Sequence, residues 1–223
     1  MSTERDLRDA QRQHWQTTFQ DNPSMYGSQP SEAGAYAVDL FTREQVHYVL
    51  ELGAGQGRDA LAFLDAGMRV IALDYAPQAL NELRGTADVA EAGGRLTTLV
   101  HDVRQPLPLP TGSVDAVYSH MLMNMALTDT EVDALNAEVR RVLRPGGLHV
   151  YTVRNTEDAH YRAGIPHGDN MFECGGFIVH FFDEALVQRL ATGFSVLDWT
   201  AFEEGALPRR LWRVTLRRDP DNN

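Results

Sequence analysis

The run Glu51-Leu-Gly-Ala-Gly-Gln-Gly57 sets an acid ahead of three glycines at alternate positions. Gly53, Gly55 and Gly57 lack Cβ atoms, so their backbone turns tightly and lets a ligand come close. The same pattern also suits a plain turn between a strand and a helix. Two residues narrow the ligand chemistry. A dinucleotide loop, G-x-G-x-x-G, wants glycine at position 58, where this chain has Arg58. Glu51 stands where a carboxylate would repel a pyrophosphate; it suits a ligand that carries an ammonium group and no phosphate. Asp74 follows Gly53 by 21 positions and can accept both hydroxyl hydrogens of a ribose. A strand-end aspartate also caps helices. In His101-Asp102-Val103, Asp102 can accept from the adenine N6 amine while the Val103 backbone serves a ring nitrogen. Ser119-His120-Met121 follows a fourth β-rich run, where a reactive group is expected. Among His120, His160, His167 and His180, His120 is the best-placed general base. A histidine there also serves as a hydrogen-bonding or packing residue.

These residues need a frame that brings strand ends together. Residues 4–21 and 32–44 have scattered or helically spaced apolar positions and are expected to be helices. From residue 46 strands and helices alternate. Strands are expected at 46–50, 69–73, 96–100, 114–118 and 148–153. Helices are expected from Arg58 to the stop at Gly67, from Pro77 toward Gly93-Gly94, and from Thr128-Asp-Thr-Glu131, which has capping-box spacing. Such alternation implies a doubly wound α/β fold with a mostly parallel sheet. Ligands bind such sheets beyond the carboxyl ends of the strands, at the switch point. The tail reads as a long loop at 154–176, a β-rich run at 177–182, a helix at 183–191 and two strands near 194–200 and 210–217. With no helix pattern between them, those last two form an antiparallel hairpin at one sheet edge.

The glycine loop, Asp74, His101-Asp102-Val103, Val114-Asp-Ala-Val and Leu143-Arg-Pro-Gly-Gly147 stand in the order and spacing of class I S-adenosylmethionine-dependent methyltransferases. The resemblance spans residues 46–153, about half the chain. It implies a Rossmann-like, seven-stranded sheet with an antiparallel C-terminal edge strand. It implies S-adenosylmethionine as cofactor, with Glu51, Gly53, Ala54, Gly55 and Gly57 lining the methionine end. Asp74 and Tyr75 would hold ribose and adenine, Asp102 and Val103 the adenine. Ser119, His120 and Met121 would lie near the sulfonium. The outer parts are similar to the small-molecule branch that includes tellurite-resistance and thiopurine-type enzymes. Met25-Tyr26-Gly27 followed by Pro30-Ser31 resembles their N-terminal lid, which would bring Tyr26 toward the cofactor. The chain then reads as one domain: a helical lid at 1–45, a cofactor core at 46–153, and a substrate loop with C-terminal strands at 154–223. Arg154, His160, Tyr161, His167, Phe172 and Cys174 would form the substrate wall.

The balance of 31 acidic against 20 basic residues, a net charge of −11, disfavours nucleic acid as a partner. So does Ser119-His-Met-Leu122, where amino-methylases of nucleic-acid bases carry Asn/Asp-Pro-Pro-aromatic. Arg209, Arg210, Arg213, Arg217 and Arg218 read as the solvated face of a strand. One cysteine, no signal-like N-terminus and no long apolar run point to a cytoplasmic protein off the membrane. The spacing of His160, His167, Cys174 and His180 does not suggest a metal site. The expected activity is methyl transfer to a small molecule whose nucleophile is S, Se/Te, O or N. An NAD-dependent oxidoreductase and a non-catalytic binder of S-adenosylmethionine are the alternatives.

Overall fold

A computed structural model describes residues 11, 13, 17, 27, 29–90, 92–205 and 209–221. Tyr26 and most of the helix expected at 4–21 lie outside the described residues. The chain divides into two compact units, Met1–Asp102 and Val103–Asn223.

In the first unit, helix α1 (Glu32–Arg43) starts at Ser31, whose hydroxyl accepts from the Gly34 amide at 2.8 Å. Glu32 in its first turn and Arg43 in its last complement the helix dipole. Its buried face carries Ala33, Ala37, Leu40 and Phe41, and Phe41 meets Phe63 with ring centroids 5.5 Å apart. Strands β1 (Tyr48–Leu52), β2 (Arg69–Asp74) and β3 (Leu96–Val100) pair in parallel, β1 with β2 and β2 with β3. Helices α2 (Arg58–Asp65) and α3 (Pro77–Val89) cross between them. Strand β1 starts two residues later than its β-rich sequence suggests. The chain is still leaving α1 at Val46, whose amide donates to the Phe41 carbonyl, after Gln45 at a φ of 56°. As a result Glu51 lies in the strand, paired with Ala72, rather than in the loop.

In the second unit, β4 (Val114–His120) and β5 (Leu143–Arg154) are parallel and are joined by α4 (Asp129–Val142). The capping box at Thr128 and Glu131 is present. Arg144 to Gly147 is a bulge within β5: the register jumps from Val114↔Leu143 to Ala116↔Leu148. Gly147 is required there, because a Cβ would meet the Asp115 carbonyl oxygen at 2.8 Å. The expected loop at 154–176 is partly a small antiparallel sheet of β6 (Ile165–Pro166), β7 (Met171–Cys174) and β8 (Phe177–His180). Its turn is Gly175-Gly176, both at positive φ, the pair that a two-residue hairpin loop favours. Tyr161, Phe172 and Phe181 cluster with centroids 5.5 to 6.3 Å apart. Helix α5 (Glu184–Leu190) is capped by Asp183, and β9 (Phe194–Glu204) and β10 (Arg209–Arg218) form the closing hairpin.

The seven long strands follow the hydrogen-bonded order β3-β2-β1-β4-β5-β10-β9. This is the doubly wound, mostly parallel sheet expected. The antiparallel strand is β10, one in from the edge, with β9 outside it. The C-terminal arginines are not a solvated face. They fall on both sides of β10 by strand alternation, so Arg218 is buried and pairs with Asp221 at 2.7 Å, and Arg213 reaches Asp198 at 3.1 Å.

Candidate functional site

The glycine loop leaves β1 with Gly53, Gly55 and Gly57 at φ values of 70°, 53° and 84°, all left-handed. The Gly53 and Ala54 amides both donate to the Leu73 carbonyl, at 2.8 and 3.0 Å, which folds the loop over the end of β2. Gly57 opens α2. A Cβ on it would stand 2.2 Å from a Leu83 methyl, so here glycine serves close helix packing as well as φ. Asp74 closes the loop from the other side. Its Oδ2 accepts from the Gly55 amide and its Oδ1 from the Ala76 amide, both at 2.8 Å. Burial raises its pKa, against the lowering effect of backbone donors from Ala76, Gly55 and Tyr75. These three donors leave the carboxylate one acceptor site, enough for one ribose hydroxyl. Tyr75 packs half-buried on Ala76 and Ala79, and Asp102 lies half-buried just past β3.

Glu51 is the chemically unusual member. It is 4% exposed, and its Oε2 has no hydrogen-bond partner among the described residues. Burial, with the Asp59 and Asp74 carboxylates adding to it and Arg58 opposing, pushes its pKa well above the ordinary carboxylate value. Asp59, which sequence reasoning missed, is buried at the start of α2 and accepts from the Ser31 amide at 2.7 Å and hydroxyl at 2.8 Å. An acid in a helix's first turn was the one signal for it. Three carboxylates thus converge beside a loop that exposes backbone. Of the three, Glu51 is the one whose oxygen lacks a cation or N–H donor among the described residues.

In the second unit, Val103 lies half-buried at its start. Ser119, His120 and Met121 sit at the end of a strand two residues longer than expected, because β5 pairs Ser119 with Tyr151 and His120 with Thr152. Ser119 is fully buried, and its Oγ has no partner among the described residues. Met121 adopts a φ of 55°, uncommon for a side chain of its size. Its amide holds it there by reaching the Thr152 carbonyl at 3.2 Å and Thr152 Oγ1 at 3.0 Å. Neither ring nitrogen of His120 faces open space. Nδ1 is 2.9 Å from Thr152 Oγ1, and Nε2 is 3.2 Å from Glu204 Oε2. Neither partner was legible locally, since they lie 32 and 84 positions away.

Several of the residues expected to form a substrate wall are held by neighbours in the segment that follows β5. Arg154 makes a buried ion pair with Asp158, touches His160 Nδ1 at 2.7 Å and lies over the Phe181 ring. Burial opposes ionisation of Asp158, but the Arg154 guanidinium and the His160 and Arg210 amides hold its pKa below the ordinary value. His167 pairs with Glu173 at 2.9 Å. His180 is fully buried and donates from Nδ1 to the Leu127 carbonyl; burial lowers its pKa. Among the described residues no three His, Cys, Asp or Glu side chains converge as a metal ion requires.

The fold is the Rossmann-like fold of methyltransferases. Over 99% of its length the chain superposes on a Burkholderia thailandensis 1,6-didemethyltoxoflavin-N1-methyltransferase with bound 1,6-didemethyltoxoflavin and S-adenosylhomocysteine, covering 92% of that chain at a TM-score of 0.74 and 19% identity. TehB from Haemophilus influenzae is similar over 83% of this chain and 62% of its own, at a TM-score of 0.66 and 16% identity. Residues 49–147, just under half of the chain, match the methyltransferase-domain family model. An uncharacterized methyltransferase of Mycobacterium tuberculosis is 34% identical over 122 residues, 55% of this chain and 45% of that protein. The chain thus spans about half the length of the curated relatives it matches.

Proposed function

We propose that this protein is an S-adenosylmethionine-dependent methyltransferase acting on a small-molecule acceptor. The observation that carries this reading is Glu51: a buried carboxylate oxygen without a partner, beside a backbone-exposing glycine loop. An amino-acid ammonium is the donor that suits it. Gly53, Ala54, Gly55 and Gly57 would then hold the methionine end, and Asp74, Tyr75 and Asp102 the adenosine. We assign Val103, Ser119 and Met121 of the second unit to the same cofactor and the His120 end of β4 to the acceptor. When bound, the cofactor supplies an electrophilic methyl carbon, whose bond to sulfur breaks with its electron pair as the acceptor's lone pair attacks. The protein's part is mainly to align these atoms, which is worth about 7–11 kcal/mol in favourable systems. One methyltransferase domain with a reducing, cytoplasmic location agrees with the single cysteine and with the lack, among the described residues, of a helix long and apolar enough to cross a membrane.

Calorimetry with S-adenosylmethionine and S-adenosylhomocysteine tests the cofactor, and a panel of phenols, amines, thiols, selenite and tellurite tests the acceptor. Binding of both and release of S-adenosylhomocysteine with some acceptor are expected. Folded protein that binds neither ligand would end this reading.

A further inference from the structure

Hydrogen counting around His120 gives its ring a definite tautomer. The Met121 amide donates to Thr152 Oγ1 at 3.0 Å, which uses one lone pair of that hydroxyl. Thr152 is fully buried, and the contact left for its own hydrogen is His120 Nδ1 at 2.9 Å. Nδ1 is therefore an acceptor. The ring hydrogen sits on Nε2, which faces Glu204 Oε2 at 3.2 Å. Such a ring has no lone pair to offer an acceptor molecule. The basic end of the chain Met121–Thr152–His120–Glu204 is the carboxylate. It is also the wetter end: the side chain of Glu204 is 23% exposed against 12% for His120.

We propose that Glu204 is the catalytic residue that takes the acceptor's proton, with His120 and Thr152 as positioning residues, and that the acceptor class is a neutral O–H or N–H compound. This rests on the methyltransferase reading above. The proton passes from the acceptor oxygen or nitrogen to a Glu204 oxygen. On oxygen the electron pair freed by that proton forms the bond to the methyl carbon; a neutral amine nitrogen attacks with its own lone pair and gives up the proton afterwards, and in both cases the methyl–sulfur bond breaks with its electron pair left on sulfur. Thiolate, selenide or telluride needs no base, and a carboxylate at this point repels it. A histidine N–H aimed at the carboxylate and steadied from behind fixes the position of Glu204, as the third member of a nucleophile–base–orienter set does. Other charged groups are near. Arg209 is the backbone register partner of Glu204 across the hairpin, Arg213 lies opposite Thr152 in the register but is held by Asp198, Arg154 is held by Asp158, and Glu203 on the other face is held by Arg210.

Two measurements decide it, and they fail separately. Nitrogen NMR of the His120 ring, identified by its loss in His120→Asn, reads the tautomer without any activity. The Nε2–H form is expected, shifting toward a mixture in Thr152→Val; an Nδ1–H ring in the wild type would overturn the proposal. In the acceptor panel, transfer to phenols or amines is expected. Glu204→Gln should lower kcat on the order of 100-fold and remove the acidic limb of the pH profile, with S-adenosylmethionine affinity unchanged and Glu204→Asp partly restoring the rate. Unchanged kcat and pH profile in Glu204→Gln, or transfer only to thiols, selenite or tellurite, would overturn it. Loss of cofactor binding by the wild type would instead overturn the methyltransferase reading.

Discussion

Glu51 and His149 are two buried ionisable residues with opposite consequences. Folded Glu51 keeps its proton at pH values where the unfolded chain has released it, so stability falls as pH rises above the ordinary carboxylate range. Glu51→Gln removes that charge problem. It should raise the melting temperature of the ligand-free protein at pH 7 while weakening S-adenosylmethionine binding by about 10–100-fold, the worth of one charged hydrogen bond. Calorimetry and a melting curve on the same sample check both halves. A variant with unchanged affinity would remove Glu51 from the site. His149 is fully buried on β5 against Tyr151 and Phe194, with neither ring nitrogen partnered among the described residues. Burial lowers its pKa from 6.5 to about 3, so it folds neutral and the unfolded chain takes up the proton first. Its contribution is intact above pH 6.5 and is lost at about 1.4 kcal/mol per pH unit as pH falls toward 3. His149→Phe should flatten that slope in urea titrations between pH 6.5 and 4. An unaltered slope would mean that other groups control acid lability.

Elements differ in how plainly they announce themselves. Thr128 and Glu131 marked the start of α4 because a capping box is local chemistry, complete within four residues. The glycine loop was equally plain, yet the tight fit of Gly57 on Leu83 was not, since it joins residues 26 positions apart. Gly57→Ala meets both the left-handed φ and that side chain. It should cost about 1–3 kcal/mol, seen as a lower urea midpoint with an unchanged slope. The segment after β5 read as loop because its strands are four residues or fewer, too short for a period to show. Gly175-Gly176 was the signal for its hairpin. What fixes the start of this segment is the Arg154–Asp158 pair, whose aspartate side chain is fully buried and also accepts from the Arg210 amide. Arg154→Met leaves that buried carboxylate without its cation and should cost about 3–5 kcal/mol in the same titration. A loss below 1 kcal/mol would show the pair to be replaceable.

For the whole molecule, cofactor affinity should appear as stability. S-adenosylhomocysteine at 100 times its Kd should stabilise the wild type by about 2.7 kcal/mol, and Asp74→Ala should reduce that gain at the same ligand concentration. Asp74→Ala that melts with an undiminished gain would place the ribose elsewhere. The order of strands and helices, the glycine loop, Asp74 and the capping box could all be read from the chain, because periodicity, φ preference and caps are settled within a few neighbours. That was enough to anticipate a doubly wound sheet and a nucleoside-like ligand. The sequence could not say that Glu51 is buried with Asp59 and Asp74, that β10 lies inside β9, or that His120 stands between Thr152 and Glu204. Those facts depend on strand register and on the return of the C-terminal hairpin, which join residues up to 84 positions apart. Local patterns determine which elements form and which side chains are available; the tertiary structure alone decides which charges meet, because that depends on how the elements pack.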